Sequence, residues 1–248
     1  MRKYEIYKGI YVPEYQPAVF IEEIDTLVLA DLHLGIEGAL EKQGVFLPLN
    51  VSLRLVEKIE DLVDCVKPKR IIFLGDVKHE FGFPNPSEWV NVKKLLQFLL
   101  DSNLRIEVIR GNHDNYLISI LKRYEIPLHQ DVLNYRGISF THGHLDVEVR
   151  NLEEIIIMGH EHPSIRLRDE TGVSHKFKCF LVGRIEEKIL IVLPSANELA
   201  TGTDVNLTSK EEFLSPILRK VNIKEFQPYP ICIGESIEKF PRLKYLLL

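Results

Sequence analysis

The feature that most constrains the fold is a series of short apolar runs, each of which ends in a cluster of polar residues. The runs are rich in Ile, Val and Leu and occupy residues 27–30, 71–74, 106–109, 138–140 and 155–158. Continuous apolar runs of this length are typical of strands that are buried on both faces, as in a layered α/β fold. We therefore predict strands at all five positions.

Helical patterns separate the first three of these runs. Apolar residues recur at spacings of three and four over residues 51–66, before Pro68, and this pattern predicts an amphipathic helix. A second helix, which carries the apolar positions of 92–99, is predicted to begin at Ser87 as its N-cap, after a loop at 81–86. The predicted order is therefore strand, helix, strand, helix, strand.

Further strands are predicted near both ends of the chain. Residues 4–12 and 18–22 have strand patterns, and the runs at 176–182 and 188–193 predict a second sheet in the last third. Glycine and proline are scattered rather than clustered, so no linker is evident. We therefore expect residues 1–248 to form one domain.

Composition limits the class and location of the protein. The 248 residues carry a net charge of −5, which excludes a strongly basic nucleic-acid tail. No apolar run approaches the ~20 residues that a membrane span needs, and the N-terminus has no signal-peptide pattern, so we expect a cytoplasmic protein without membrane binding. The three cysteines have no CxxC spacing, and neither disulfides nor a thiolate zinc site is expected.

The polar clusters contain most of the histidines of the chain. In chain order they are Asp31 and His33, Asp76, the run of Asn112, His113 and Asp114, then His142 and His144, and finally His160 and His162. Because ligands bind beyond the carboxyl ends of strands in open α/β sheets, we expect the clusters to converge at one edge of the sheet. Such nitrogen and oxygen ligands suit Mn, Fe, Zn or Ni. The set is too large for one ion and therefore indicates a pair.

The ordered set of motifs resembles the calcineurin-like metallophosphoesterase superfamily. The motifs are Asp-x-His at 31–33, Gly-Asp at 75–76, Gly-Asn-His-Asp at 111–114, His-Gly-His at 142–144 and Gly-His-x-His at 159–162. The segments 75–82 and 193–197 further resemble a small prokaryotic branch that is related to the SbcD repair nucleases. The resemblance implies an α/β fold in the form of a four-layer α/β/β/α sandwich, in which helices flank two mixed β-sheets.

The resemblance also implies a role for the residues of the clusters. The residues that match metal ligands are Asp31, His33 and His162 for a first ion, Asp76 as a bridging carboxylate, and Asn112, His142 and His160 for a second ion. His113 matches the histidine that donates a proton to the leaving oxygen, and Asp114 matches the carboxylate that orients it. The implied cofactors are two divalent transition-metal ions, with Mn as the first choice and Fe, Zn or Ni as alternatives.

Two histidines near the motifs have no assigned role. His144 could contact a substrate phosphate or only complete its turn, and His79, which follows Asp76 by three residues, could line the pocket or cap a loop. We assign both histidines to the substrate side of the predicted site.

The activity that the resemblance implies is hydrolysis of a phosphodiester, or of a phosphomonoester, by attack of a metal-bridging hydroxide. Two alternatives stay open. One is a DNA or RNA nuclease of a repair system that works with a partner, although the acidic surplus in the first two thirds of the chain disfavours nucleic acid as a ligand. The other is a catalytically weak scaffold that binds protein, which would have no need for the intact pair of His113 and Asp114.

Overall fold

The computed structural model describes residues 1–47, 50–82 and 85–246, and the first half of the chain contributes a seven-stranded sheet. In spatial order its strands are β1 (Lys3–Tyr7), β2 (Ile10–Pro13), β3 (Ala18–Ile21), β4 (Thr26–Ala30), β5 (Arg70–Leu74), β6 (Arg105–Ile109) and β7 (Leu128–His129). Strands β1 to β4 pair antiparallel, whereas β4 to β7 pair parallel. The sheet is therefore mixed, and its parallel half leads into three of the polar clusters.

A second, eight-stranded sheet contains the later strands. In chain order these are β8 (Val132–Tyr135), β9 (Ile138–Thr141), β10 (Ile155–Met158), β11 (Ser164–Arg168), β12 (Ser174–Ile185), β13 (Lys188–Val192), β14 (Gln227–Cys232) and β15 (Ser236–Ile237). Strand β10 lies between β9 and β13 and pairs parallel with both. The other strand pairs of this sheet are antiparallel, so the second sheet is also mixed.

In the part of the chain that the structure describes, four α-helices follow strands of the first sheet. They are α1 (Ile36–Lys42), α2 (Val51–Val66), α3 (Pro86–Asp101) and α4 (Leu117–Arg123). In β5, Ile71 and Phe73 belong to the core between this sheet and the helices, whereas Ile72 and Leu74 belong to the core between the two sheets. This alternation explains why the strand is apolar at every one of these positions. None of the described helices combines the length and apolarity that a membrane span requires.

The outer face of the second sheet is covered by short 3-10 helices rather than α-helices. Segments Lys210–Glu212, Leu218–Lys220 and Ile223–Glu225 have this form, and Phe213 and Ile217 are buried in the core beneath them. The predicted fold class, two mixed sheets flanked by helices, is confirmed.

The structure confirms most of the predicted elements within one to three residues. The five apolar runs are β4, β5, β6, β9 and β10, and the first predicted helix has the bounds of α2. The predicted strand at 4–12 is a hairpin of β1 and β2. The predicted N-cap Ser87 is wrong: the side chain of Asn85 accepts the amide of Glu88 at 2.7 Å, and α3 begins two residues earlier than expected. Residues 83 and 84 of the predicted loop lie outside the described residues.

Candidate metal centre

The polar clusters follow strands of both sheets. Strands β4, β5 and β6 of the first sheet and strands β9 and β10 of the second all end at the same end of the sandwich. Two contacts between the sheets show this: the backbone amide of His160 donates to Asp31 Oδ2 at 2.8 Å, and His142 Nδ1 lies 3.5 Å from Asp31 Oδ1. The expectation that the clusters converge at one edge of a single sheet is therefore wrong. Three parallel pairings bring them together: β4 with β5 and β5 with β6 in the first sheet, and β9 with β10 in the second.

The backbone turns sharply at the residues of this site. Five residues predicted as ligands have left-handed backbone conformations: Asp31 (φ 55°), His33 (φ 43°), Asp76 (φ 48°), His160 (φ 68°) and His162 (φ 48°). A non-glycine residue in this region costs about 1–3 kcal/mol and persists only where the surrounding structure imposes it. Strain of this kind clusters at functional sites, and here it coincides with the predicted ligands.

Close packing beside Asp76 requires glycine at one position. A Cβ atom added at Gly111 would lie 2.1 Å from Asp76 Oδ1 and 2.3 Å from the Asp76 amide nitrogen. Those atoms belong to a turn that other hydrogen bonds fix in place, so they cannot move away. Gly111 thus permits the segment 111–114 to approach the carboxylate of Asp76.

Asp31, His33 and His162 form the first group of candidate ligands. One ligand atom from each lies within 4.8 Å of the others, and His162 Nε2 is 3.4 Å from both Asp31 Oδ1 and His33 Nε2. Asp31 is fully buried, and its Oδ1 atom has no hydrogen-bond partner among the described residues. A buried carboxylate oxygen without a partner is costly, and a cation held by these three residues would satisfy it.

Asp76, His142 and His160 form the second group, again with ligand atoms within 4.8 Å of one another. His142 Nδ1 lies 2.7 Å from the carbonyl oxygen of Leu74, to which it donates. In the neutral ring the Nε2 lone pair then faces Asn112 Oδ1 at 3.1 Å and Asp76 Oδ2 at 3.5 Å. Three acceptors that converge in this way fit a bound cation.

Asp76 belongs to the second group and also faces the first. Its Oδ2 atom is 3.5 Å from His142 Nε2 in the second group and 3.9 Å from His33 Nε2 in the first. The side chain is almost completely buried, so the position of the carboxylate is set by its surroundings. This is the place that a carboxylate shared by two ions would occupy.

The protonation states of the cluster also fit metal binding. Burial lowers the pKa of His33 and of His160 to about 3 in each case, so both rings are neutral at neutral pH. Burial opposes ionisation of Asp31 and Asp76, but the neighbouring histidines hold the pKa of each carboxyl below its usual value. Ionised carboxylates and neutral imidazoles are the forms that bind a divalent cation.

His142 differs from the other two rings. Burial alone would lower its pKa, but the charges of Asp76 and Asp31 raise the pKa of His142 to about 9. The metal-free chain therefore retains a proton on His142 at neutral pH, and a cation that binds there must displace it. Metal affinity is expected to rise with pH for this reason.

The structure places His113 at the mouth of the cluster and assigns Asp114 a different role from the predicted one. His113 Nε2 is 3.8 Å from Asp76 Oδ2, while His113 Nδ1 donates to the backbone carbonyl of His79. The carboxylate of Asp114 instead accepts backbone amides, those of Asp76 at 2.8 Å and Gly111 at 2.9 Å. The interpretation of Asp114 as the group that orients His113 is therefore corrected, since a backbone carbonyl performs that task.

The two histidines without an assigned role both lie beside the candidate ligands. His79 Nδ1 is 3.3 Å from His33 Nδ1, so His79 contacts the ring nitrogen of His33 that faces away from Asp76. The ring of His144 lies 5.0 Å from that of His142 and 6.0 Å from that of His160. Both side chains are half-buried at the edge of the site.

A loop that supports the first group was not predicted as part of the site. Ser195 Oγ donates to the carbonyl of Asp31 at 2.7 Å, and Asn197 Nδ2 donates to that of Leu32 at 2.8 Å. The ammonium group of Lys178 in turn donates to three carbonyls of the loop, those of Ser195, Asn197 and Ala200. The resemblance of residues 193–197 to a known segment was the one signal of this role.

Glu88 supports the segment that carries His79, and it was also missed. The Glu88 carboxylate accepts the backbone amides of His79 at 2.7 Å and Glu80 at 2.9 Å, and it completes the capping box with Asn85. The available signal was a glutamate three residues after a potential N-cap. That signal identifies a helix start and does not reveal the further contacts of the carboxylate.

The fold and this cluster together define a class: α/β sandwich proteins with a candidate metal centre at the carboxyl ends of parallel strands. The model of the calcineurin-like phosphoesterase family matches residues 24–187, about two thirds of the chain. The chain belongs to this family, which is metal-dependent, and it is a hydrolase of phosphoester bonds. The predicted superfamily and enzyme class are thereby confirmed.

Two solved structures match the chain over most of its length. Nuclease MPE of Pseudomonas putida is 17% identical, with a TM-score of 0.66 over 96% of this chain and 99% of that chain. The phosphoesterase YfcE of E. coli is 15% identical, with a TM-score of 0.45 over 88% of this chain and 98% of that chain. No curated protein sequence matches the chain significantly.

Proposed function

We propose that this chain is a phosphodiesterase whose site holds two divalent transition-metal ions. The observation that carries the proposal is the position of Asp76 Oδ2, which lies 3.5 Å from His142 Nε2 of the second group and 3.9 Å from His33 Nε2 of the first. A site for one ion would need neither the second group nor a carboxylate between the groups.

The proposed ligands follow the two groups. Those of the first ion are Asp31, His33 and His162, those of the second are Asn112, His142 and His160, and Asp76 is shared. Mn is the first choice for such nitrogen and oxygen ligands, with Fe, Zn or Ni as alternatives. When bound, two such ions supply charge that neutralises the phosphoryl oxygens and lowers the pKa of a water molecule.

His113 is the proposed proton donor. Its Nδ1–H donates to the carbonyl of His79, which fixes the ring with Nε2 directed toward the centre. The protonated ring can then donate from Nε2 to the oxygen of the leaving group, while the position of the ring does not change. The side chain is 13% exposed, so it is accessible to substrate but held by its surroundings.

A diester is proposed over a monoester because of the fold of the whole chain. Nuclease MPE has this fold over almost its entire length, and a nuclease cleaves phosphodiester bonds. The resemblance of residues 75–82 and 193–197 to the branch related to repair nucleases favours the same chemistry. The same observations make a nuclease that acts on DNA or RNA, alone or with a partner, the second candidate.

Between these two, we favour a small or short single-stranded diester over long duplex DNA. The chain has a net charge of −5, so it lacks the basic excess with which proteins hold a long phosphate backbone. Binding to such a backbone weakens steeply as salt increases, whereas a reaction on one phosphate group depends on salt far less. Salt dependence therefore separates the two candidates.

The test is a substrate panel with the purified full chain. Metal-free protein and protein loaded with Mn are given bis(p-nitrophenyl) phosphate, p-nitrophenyl phosphate, a cyclic nucleotide, and single-stranded and duplex DNA, each at low and physiological salt. We expect Mn-dependent hydrolysis of small diesters that changes little with salt and is lost in Asp76→Asn. Efficient, salt-sensitive cleavage of duplex DNA would favour the nuclease. Two bound ions without turnover of any ester would favour the scaffold.

A further inference from the structure

We propose that Phe81 determines substrate specificity: its ring is a platform on which a nucleobase of the leaving group stacks, next to His113. This inference rests on the proposed function and names the class of diester, one whose leaving group is a nucleoside. It assigns a role to a residue outside the metal ligands and the proton donor.

The position of Phe81 is the first argument. Its ring centroid lies 3.6 Å from that of His113, with an angle of 28° between the planes, so the two rings are stacked. Phe81 is nevertheless 57% exposed, whereas the His113 side chain is 13% exposed. One face of the phenyl ring therefore covers the proposed proton donor, and much of the remaining ring is open to solvent. A single exposed apolar side chain is common and by itself indicates no function. The stacking of Phe81 against His113, and not the exposure of Phe81 alone, therefore supports the inference.

The residues that directly precede Phe81 are fixed in place, which is the second argument. The backbone amides of His79 and Glu80 donate to the buried carboxylate of Glu88, and the Glu80 side chain pairs with Lys42 Nζ at 2.5 Å. The ammonium group of Lys78 also donates to the Glu80 carbonyl. A platform held in this way loses little conformational freedom when a ligand stacks on it.

The third argument is the reach of a nucleoside. A base on the outer face of Phe81 would have its ring centroid about 4.5–7 Å from that of the phenyl ring, which itself lies 3.6 Å from the His113 ring. His113 is proposed to protonate the ester oxygen, so a spacer must separate that oxygen from the stacked ring. The sugar of a nucleoside is such a spacer, whereas a phenyl ester has none. The geometry thus favours a nucleoside over a simple aryl leaving group.

The test compares two dinucleotides that differ only in one base. One is a thymidine dinucleotide, and the other has an abasic tetrahydrofuran residue on the leaving side. In Phe81→Ala we expect kcat/KM for the base-bearing dinucleotide to fall about 5- to 150-fold, the range that stacking on an aromatic side chain supplies, with little change for the abasic one. Phe81→Trp should restore the preference. Tyr245→Ala, which removes another exposed aromatic ring, from the C-terminal 3-10 helix, is the matched control.

A binding measurement accompanies the kinetics. Because stacking does not involve metal, calorimetric titration of the metal-free protein should show tighter binding of the base-bearing dinucleotide, and Phe81→Ala should remove the difference. Equal losses of kcat/KM on both dinucleotides would mean that Phe81 only positions His113 and would overturn the platform. The absence of a preference in the unmodified chain would overturn it too.

The same preparations are assayed on bis(p-nitrophenyl) phosphate, which separates the two proposals. If this diester is hydrolysed while the dinucleotides are not distinguished, the proposed function stands and the role of Phe81 is wrong. If no diester is hydrolysed by the unmodified chain, the proposed function fails, and the inference about Phe81 fails with it.

Discussion

The carboxylate of Asp114 accepts a 2.8 Å hydrogen bond from the backbone amide of Asp76. It also accepts the amides of Gly111 at 2.9 Å and Val77 at 3.0 Å, and it is completely buried. These bonds fix the left-handed turn from which the Asp76 side chain projects toward both groups of ligands. The shape of the candidate metal centre thus depends on a residue that belongs to neither group of candidate ligands.

Replacing Asp114 with Asn should weaken this turn. The amide group of the new side chain presents N–H donors to backbone N–H donors, and an unsatisfied buried group costs about 1–3 kcal/mol. We expect the free energy of unfolding of the metal-free protein, measured by urea denaturation, to fall by that amount, together with weaker binding of Mn. If Asp114 acts only through His113, stability would not change and only the hydrolysis of poor leaving groups would suffer.

Replacing His113 with Ala should affect esters according to their leaving group. Proton donation is worth about 10² to 10⁴ in rate and matters most for a poor leaving group. We expect a large loss of kcat on an alkyl or sugar diester, a far smaller loss on a nitrophenyl diester, and unchanged metal content. Equal losses on both esters would instead indicate a positioning role, and loss of an ion would make His113 a ligand.

Replacing Ser195 with Ala should act on one ion more than on the other. Ser195 Oγ donates to the buried carbonyl of Asp31, which belongs to the first group only. We expect one of two binding steps in a Mn titration to weaken by about tenfold, which corresponds to about 1.4 kcal/mol. Ser102→Ala, at a serine that also donates to a carbonyl but at the exposed end of α3, is the control and should bind Mn normally. Equal weakening of both steps would count against two separate groups.

Acid stability should depend on Asp204. Burial opposes its ionisation, but hydrogen bonds from Arg166, Lys176 and Ser164 hold the pKa of Asp204 below its usual value. The folded chain therefore binds this proton less readily than the unfolded chain, and the stabilisation is present above pH ~4 and is lost as pH falls below it. Asp204→Asn should lower the stability of the metal-free protein at pH 7, with the two proteins converging in acid. A difference that stays constant with pH would contradict this assignment.

The sequence was sufficient to predict the strands that position the site, because residues such as Ile71 and Ile72 face different cores and must both be apolar. It was not sufficient to predict how the strands pair. Periodicity identifies a strand but does not reveal its neighbours, so the division of the five clusters between two sheets was missed. The short helix α1 was missed as well, because its seven residues are too few for a clear helical period.

The sequence predicted the site residues whose type is fixed by metal chemistry. It did not predict the residues whose role depends on contacts with the backbone. Asp31, His33 and His162 are recognisable because few residue types bind metal, and the structure brings them together. The family resemblance implied that Asp114 orients His113, whereas the Asp114 carboxylate accepts backbone amides instead. Contacts between a side chain and distant backbone, such as that of Ser195 with Asp31, produce no recognisable pattern in the sequence.

The most direct test of the account is the metal content of Asp76→Ala beside that of the unmodified chain. Both proteins are stripped of metal, loaded with Mn, freed of unbound ions and analysed for Mn per chain, and their hydrolysis of bis(p-nitrophenyl) phosphate is measured. Because Asp76 is proposed to be shared by both ions, we predict two Mn ions per chain in the unmodified protein and fewer than two in the variant. We also predict that the variant loses turnover. Two ions retained by Asp76→Ala with undiminished turnover would contradict the central claim.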